Sequence, residues 1–291
     1  LEGHEEDFTS IFKGVLEDSS IEKIGYNLKA DIAILFKLGI QIENYSFDPV
    51  IAQYLINPSQ NNYSINNLSE EYFNYYGEDE EMLLGKGKSK KNFLDLDDEK
   101  RMSYLAFILG TTSKLEGMMK DLIEEQGMEE LYYDIELPLV EVLSSMEYRG
   151  FKIDREELEG LGKEYKEEIE SLTKEIHDLA GMEFNIKSPK QIGEVLFDKL
   201  DLPVIKKTKT GYSTSVEVLE KLQDQHPIID KILRYRQIVK LTSTYIDGYL
   251  DLINEETGRI HSTFNQTITT TGRISSTEPN LQNIPIRTED G

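Results

Sequence analysis

The chain has 291 residues, 38% of them hydrophobic and 30% charged, which supplies a buried core and is too apolar for a disordered chain. It has no cysteine and no apolar run of about 18 residues, so a disulfide framework, a thiolate metal site and a membrane-spanning helix are excluded. The net charge of −23 sits entirely in residues 1–184, with 18 Lys and Arg against 41 Asp and Glu, whereas residues 185–291 hold 14 against 14; if a nucleic acid is bound, the C-terminal third is where it is expected.

Residues 1–76 read as mixed α/β. Ile21 to Tyr26 has the look of a short strand, and Leu28 to Leu38 carries Leu28, Ile32, Leu35 and Phe36 at helical spacing before Gly39 stops it. A second strand around Tyr45 to Phe47 leads into an apolar helix from Pro49 to Leu55, ended by Asn57-Pro58-Ser59. Residues 77–101 form a polar interlude in which the acidic run Glu78 to Glu81 precedes Gly85-Lys86-Gly87-Lys88-Ser89-Lys90-Lys91. That lysine run is either a solvated loop or a phosphate-binding one, and it lacks Walker spacing.

Residues 102–252 are predicted mostly helical. Arg155 to Leu179 carries Leu158, Leu161, Tyr165, Ile169, Leu172 and Ile176 on one stripe, suited to an antiparallel helical hairpin or to a partner seam, and Gly181 closes it. A second long helix is expected from His226-Pro227 to about Leu252. Between the two lies a loop-rich stretch, Phe184 to Ser215, holding Lys187, Lys190, Lys206, Lys207 and Lys209. Thr257-Gly258-Arg259 reads as a turn, Ile260 to Thr270 as strand-like, and the remainder as polar and hydroxyl-rich.

The four histidines are scattered, and neither a nucleophile elbow nor a glycine-rich dinucleotide loop is present. The segment from Thr271 to Pro285 differs in packing amides, hydroxyls and Arg273 into a short span. Such groups reach minor-groove acceptors and phosphates largely without regard to sequence; a polar surface loop is the plain alternative.

Thr-Gly-Arg-Ile-Ser-Ser-Thr-Glu-Pro-Asn-Leu-Gln-Asn-Ile-Pro (271–285) is similar to the signature that opens the palm of family A DNA polymerases. Ile135 to Leu139 and Gly150 to Asp154 resemble the start of that family's thumb. Phe184 to Gln191 and Tyr212 to Ser215 resemble its tip, and Tyr235-Arg236 with Lys240 to Tyr245 its long return helix. Upstream, Gly25 to Asp31 and Phe47-Asp48 resemble the 3′–5′ exonuclease domain. The resemblance implies an α+β chain with a truncated RNase H-like α/β exonuclease-type domain (1–130), a mostly helical thumb (131–252) and the first antiparallel strands of the palm (253–291).

It further implies that Arg273 reaches the minor groove near the primer end, with Gln266, Asn280, Gln282 and Asn283 beside it. Arg236 and Lys240, with Asn185, Ser188 and Lys190 from the tip, would face the phosphates. Of the three exonuclease metal motifs, the first would precede Leu1, the second is Asp31, and the third falls near Tyr104 to Ile108 with isoleucine in place of aspartate. A two-metal site needs several oxygen ligands, so Asp31 is expected to be vestigial and no metal is expected here. The resemblance implies that the palm aspartates lie beyond Gly291. The chain is thus expected to be an inactive piece of a DNA-directed DNA polymerase whose whole protein uses Mg²⁺ and dNTP. The expected partner is primer–template duplex, and the expected state a cytoplasmic monomer without a membrane. The rival readings are a non-enzymatic DNA-binding module and an acidic helical scaffold that binds proteins.

Overall fold

The structure is a computed structural model that describes residues 3–77, 79–209, 211–285 and 290, with the backbone alone at Lys88. Glu78 of the acidic run and residues 286–289 and 291 lie outside the described residues. Packing divides the chain into two compact units, residues 1–150 with 261–282, and residues 151–260 with 283–291. Compactness thus groups 131–150 and 261–282 with the N-terminal unit, a different partition from the three segments drawn by resemblance.

In the first unit, strands Lys23–Ile24 and Tyr45–Phe47 pair in parallel, and the helix Leu28–Lys37 runs between them. Gly39, at φ +66°, turns the chain out of that helix in a conformation costly for any residue with a Cβ. Asp48 caps the helix Pro49–Ile56, its carboxylate accepting from the Val50 amide at 2.9 Å. The helices Asp98–Glu125 and Leu137–Arg149 complete the layer, the second entered through a π turn, Leu131–Glu136. Ile32, Phe47, Leu68, Leu115, Met119 and Tyr132 form the centre of this core, none more than 1% exposed. The lysine run of 85–91 is a set of short turns in which Lys86 pairs with Glu81 and Lys90 with Glu80. Those cations are matched by the acidic run before them, which is the solvated-loop reading rather than the phosphate-binding one.

In the second unit the 26-residue helix Arg155–Ala180 packs against Ile228–Lys240. The ion pairs Glu168–Arg234 and Glu175–Lys231 run in opposite sequence order along the two helices, which makes them antiparallel. Leu172 and Ile176 join Ile228, Ile229 and Ile232 in one core, and Tyr165 joins Ile238, Leu241 and Ile246 in another. The predicted stripe is therefore spent on the helical hairpin. After Lys240 the helix continues through a π turn, Leu241–Asp247, to Leu250, so the predicted second helix is present with one wide turn inside it.

The strand-like stretch after Gly258 divides in two. Arg259–Ile260 pairs antiparallel with Phe151–Lys152 in the second unit, while Thr263–Asn265 pairs antiparallel with Ser275–Thr277 in the first. The last of these strands was not singled out from the sequence. Three hydroxyl residues carry no apolar alternation, and they form a strand because a partner backbone lies opposite them.

Candidate nucleic-acid interface

On the second unit a cleft of about 880 Å³ opens among the turn before Pro189, the hairpin Lys207–Tyr212 and the end of the helix Ile228–Lys240. Its entrance is built locally. Asn185 folds an Asx turn by accepting from the Lys187 amide at 2.9 Å, and Ser188 caps Pro189–Gly193 with its hydroxyl toward the Gln191 amide. Lys187, Lys190, Arg236 and Lys240 line the cleft against two carboxylates, Glu194 and Asp198. Asp198 is engaged by the Tyr212 hydroxyl at 2.6 Å, a bond that holds the phenol's pKa up. Glu194 stands 3.8 Å from the exposed Lys190 ammonium, too loose a contact to hold it. Among the described residues, no carboxylate is paired with the ammonium of Lys187 or Lys240. The cleft is therefore a cationic concavity inside an acidic protein, and it focuses the potential felt by an approaching polyanion.

Lys190, Arg236 and Lys240 were singled out from the sequence and line one cleft, whereas Asn185 and Ser188 stay outside the lining and shape the adjoining turn. Arg236 differs from the two lysines. Its guanidinium is half buried and donates to the Thr214 carbonyl and, at 3.0 Å, to the Thr214 hydroxyl. Burial lowers its pKa from the usual arginine value without discharging it near neutrality. Arg236 thus braces the Ser213–Ser215 wall of the cleft. Lys206 and Lys209 stay outside the lining, and the Lys207 ammonium lies 5.6 Å from the centre of the Tyr212 ring.

The second group of predicted residues belongs to the hairpin of the first unit. Arg273 lies in the connection between its strands, exposed, and its guanidinium has no partner among the described residues. Thr269 brackets it, the Thr269 hydroxyl accepting from the Arg273 amide at 3.0 Å and donating to the Arg273 carbonyl at 2.7 Å. Asn280 and Gln282 are exposed but also shape the turn: the Gln282 side chain donates to the Ile274 carbonyl at 2.7 Å, and its backbone amide to Asn280 Oδ1 at 3.0 Å. Asn283, in the second unit, accepts the Tyr245 hydroxyl on its carbonyl at 2.6 Å and leaves its side chain exposed. Gln266 departs from expectation. It is 6% exposed, and its Nε2 donates to the carbonyl and carboxylate of Glu136, so its amide is turned inward.

The sequence profile of DNA polymerase family A matches residues 155–291, and that of the ribonuclease H-like domain of DNA polymerase I matches residues 3–115. The chain belongs to DNA polymerase family A. It is 40% identical to the DNA polymerase I of Bacillus subtilis over 97% of its length, and 42% identical to that of Geobacillus stearothermophilus over 96%. It spans about a third of those relatives, 32% in both cases. Among solved structures it is similar to the polymerase domain of Pol1 from M. smegmatis in complex with DNA primer-template and dNTP. That likeness has a TM-score of 0.78 at 31% identity and covers 97% of this chain and 46% of that one.

In this family A chain the exonuclease-like unit holds two neighbouring aspartates. Asp31 lies exposed on the helix Leu28–Lys37. Asp48 is buried, and its oxygens accept from the backbone amides of Asn27, Leu28 and Val50. Burial pushes the Asp48 carboxyl up to about 6 despite those three donors, and the charge of Asp31 adds to the rise. Ile108 is half buried against the core. Among the described residues, no three His, Cys, Asp or Glu side chains cluster in a way that could hold a metal ion.

Proposed function

We propose that this chain is the part of a DNA-directed DNA polymerase that grips primer–template duplex. The cationic cleft would hold backbone phosphates, and the exposed Arg273, with Asn280, Gln282 and Asn283, would address minor-groove acceptors shared by all base pairs. The observation that carries this reading is the convergence of Lys187, Lys190, Arg236 and Lys240 on one cleft of a chain whose net charge is −23. The relatives named DNA polymerase I and the neighbour's primer-template complex support it. Nucleotidyl transfer, with its Mg²⁺ and dNTP, is assigned to parts of the whole protein that this chain does not contain, and the exonuclease-like unit to a non-catalytic role. No helix among the described residues is long and apolar enough to cross a membrane. Action on DNA in the cytoplasm, as a monomer, is part of the same proposal.

The test is a titration of labelled primer–template duplex between 50 and 200 mM salt. Affinity is expected to fall steeply as salt rises, without preference for sequence. Arg273→Ala is expected to weaken binding about tenfold. Affinity indifferent both to salt and to Arg273→Ala would overturn the reading.

A further inference from the structure

The first unit has a further use, visible where its helices meet the hairpin that carries Arg273. Glu147, on the helix Leu137–Arg149, places Oε1 2.6 Å from the Phe264 amide nitrogen. Lys29, on the helix Leu28–Lys37, places Nζ 2.8 Å from the Phe264 carbonyl oxygen. The two side chains also pair with each other at 2.5 Å, each about one-fifth exposed. One residue of the strand Thr263–Asn265 is thus held at both its amide donor and its carbonyl acceptor by a carboxylate and an ammonium. Phe264 pairs with Ser276 across the hairpin, so the clamp occupies the side of the strand that a third strand would otherwise satisfy. Two further bonds fix the loop beyond it: Gln266 Nε2 donates to the Glu136 carbonyl at 2.7 Å, and the Tyr54 hydroxyl to the Thr269 carbonyl at 2.7 Å. Thr269 in turn brackets Arg273.

We propose that Lys29 and Glu147 are positioning residues for duplex recognition, clamping the Phe264 backbone so that the hairpin presents Arg273 in one orientation. The helices of the first unit then serve as the foundation of the minor-groove reader, a function independent of metal chemistry. The link to DNA rests on the reading given under Proposed function; the clamp itself does not.

The full 291-residue chain would be compared by residue-resolved hydrogen exchange and duplex titration as wild type, Glu147→Ala, Lys29→Met and the charge-reversed Lys29→Glu/Glu147→Lys. In Glu147→Ala the Phe264 amide is expected to exchange at least about tenfold faster, with the helix Asp98–Glu125 unchanged. Charge reversal restores an ion pair but sets a carboxylate against the Phe264 carbonyl, so it is expected not to restore protection; rescue would show a plain ion pair and overturn the proposal. Lys29→Met leaves the Glu147 bond in place and gives a milder variant should Glu147→Ala fail to fold. It is expected to speed exchange in 263–265, and unchanged exchange there would also overturn the clamp. For duplex affinity, Glu147→Ala in an Arg273→Ala background is expected to cost no more than Arg273→Ala alone, whereas losses that multiply would sink the positioning role. If Arg273→Ala alone leaves affinity unchanged, the positioning role fails, and if affinity is indifferent to salt as well the duplex reading fails; the exchange result judges the clamp in either case.

Discussion

Arg236 and Lys240 lie one helical turn apart and face the same cleft, yet they differ in what they can offer a phosphate. Lys240 is exposed with no carboxylate partner among the described residues, whereas the Arg236 fork is already spent on Thr214. Lys240→Ala is therefore expected to lower the slope of log affinity against log salt by about 0.9, the signature of one lost phosphate contact. Arg236→Ala is expected to weaken binding with the slope unchanged, because it releases the cleft wall rather than a counterion. Equal slopes for the two variants would contradict this division of labour. Asp48 is the other residue whose burial has a measurable consequence. Its carboxyl is raised to about 6 from an ordinary value near 3.9. A raised acid pKa favours the folded state most below the ordinary value, and that contribution is lost as pH climbs through about 6. A carboxyl-carbon NMR titration should place the Asp48 midpoint near 6, and a midpoint below about 4 would show that the three backbone donors outweigh burial.

Among the elements, the helical hairpin of the second unit depends on close approach at Gly162. A Cβ added there would meet Ile246 Cγ2 at 3.1 Å, where the helix Arg155–Ala180 crosses the π turn Leu241–Asp247. Gly162→Leu is expected to force the two apart and destabilise the unit by about 1–3 kcal/mol, read from the urea midpoint. Gly181, at φ +65°, ends the longer helix; Gly181→Val there is expected to cost about 1 kcal/mol or more by the same measurement, since a β-branched residue resists the left-handed region. Both helices were legible in the sequence because their apolar stripes repeat at 3.6 residues and a proline and a glycine mark their ends. The π turn was not, since residues Leu241 to Asp247 differ in no compositional way from an ordinary helical segment.

For the molecule as a whole, charge and tertiary contact divide the explanation. The sequence by itself determined the helix-rich α+β class, family membership through the 271–285 signature, and the confinement of net acid to residues 1–184. Each of these rests on local pattern or on the count of residues, which no fold is needed to read. It also marked Lys190, Arg236 and Lys240, which the fold then gathered. Only tertiary structure decided that Gln266 turns inward to Glu136, that Arg236 is a brace, and that Ser275–Thr277 is a strand. Glu147 and Tyr54 as anchors of the hairpin were equally invisible, for they meet partners 117 and 215 residues away in the chain. A side chain's availability depends on what packs over it, and that neighbour is chosen by the closure of long loops, a property absent from any window of sequence.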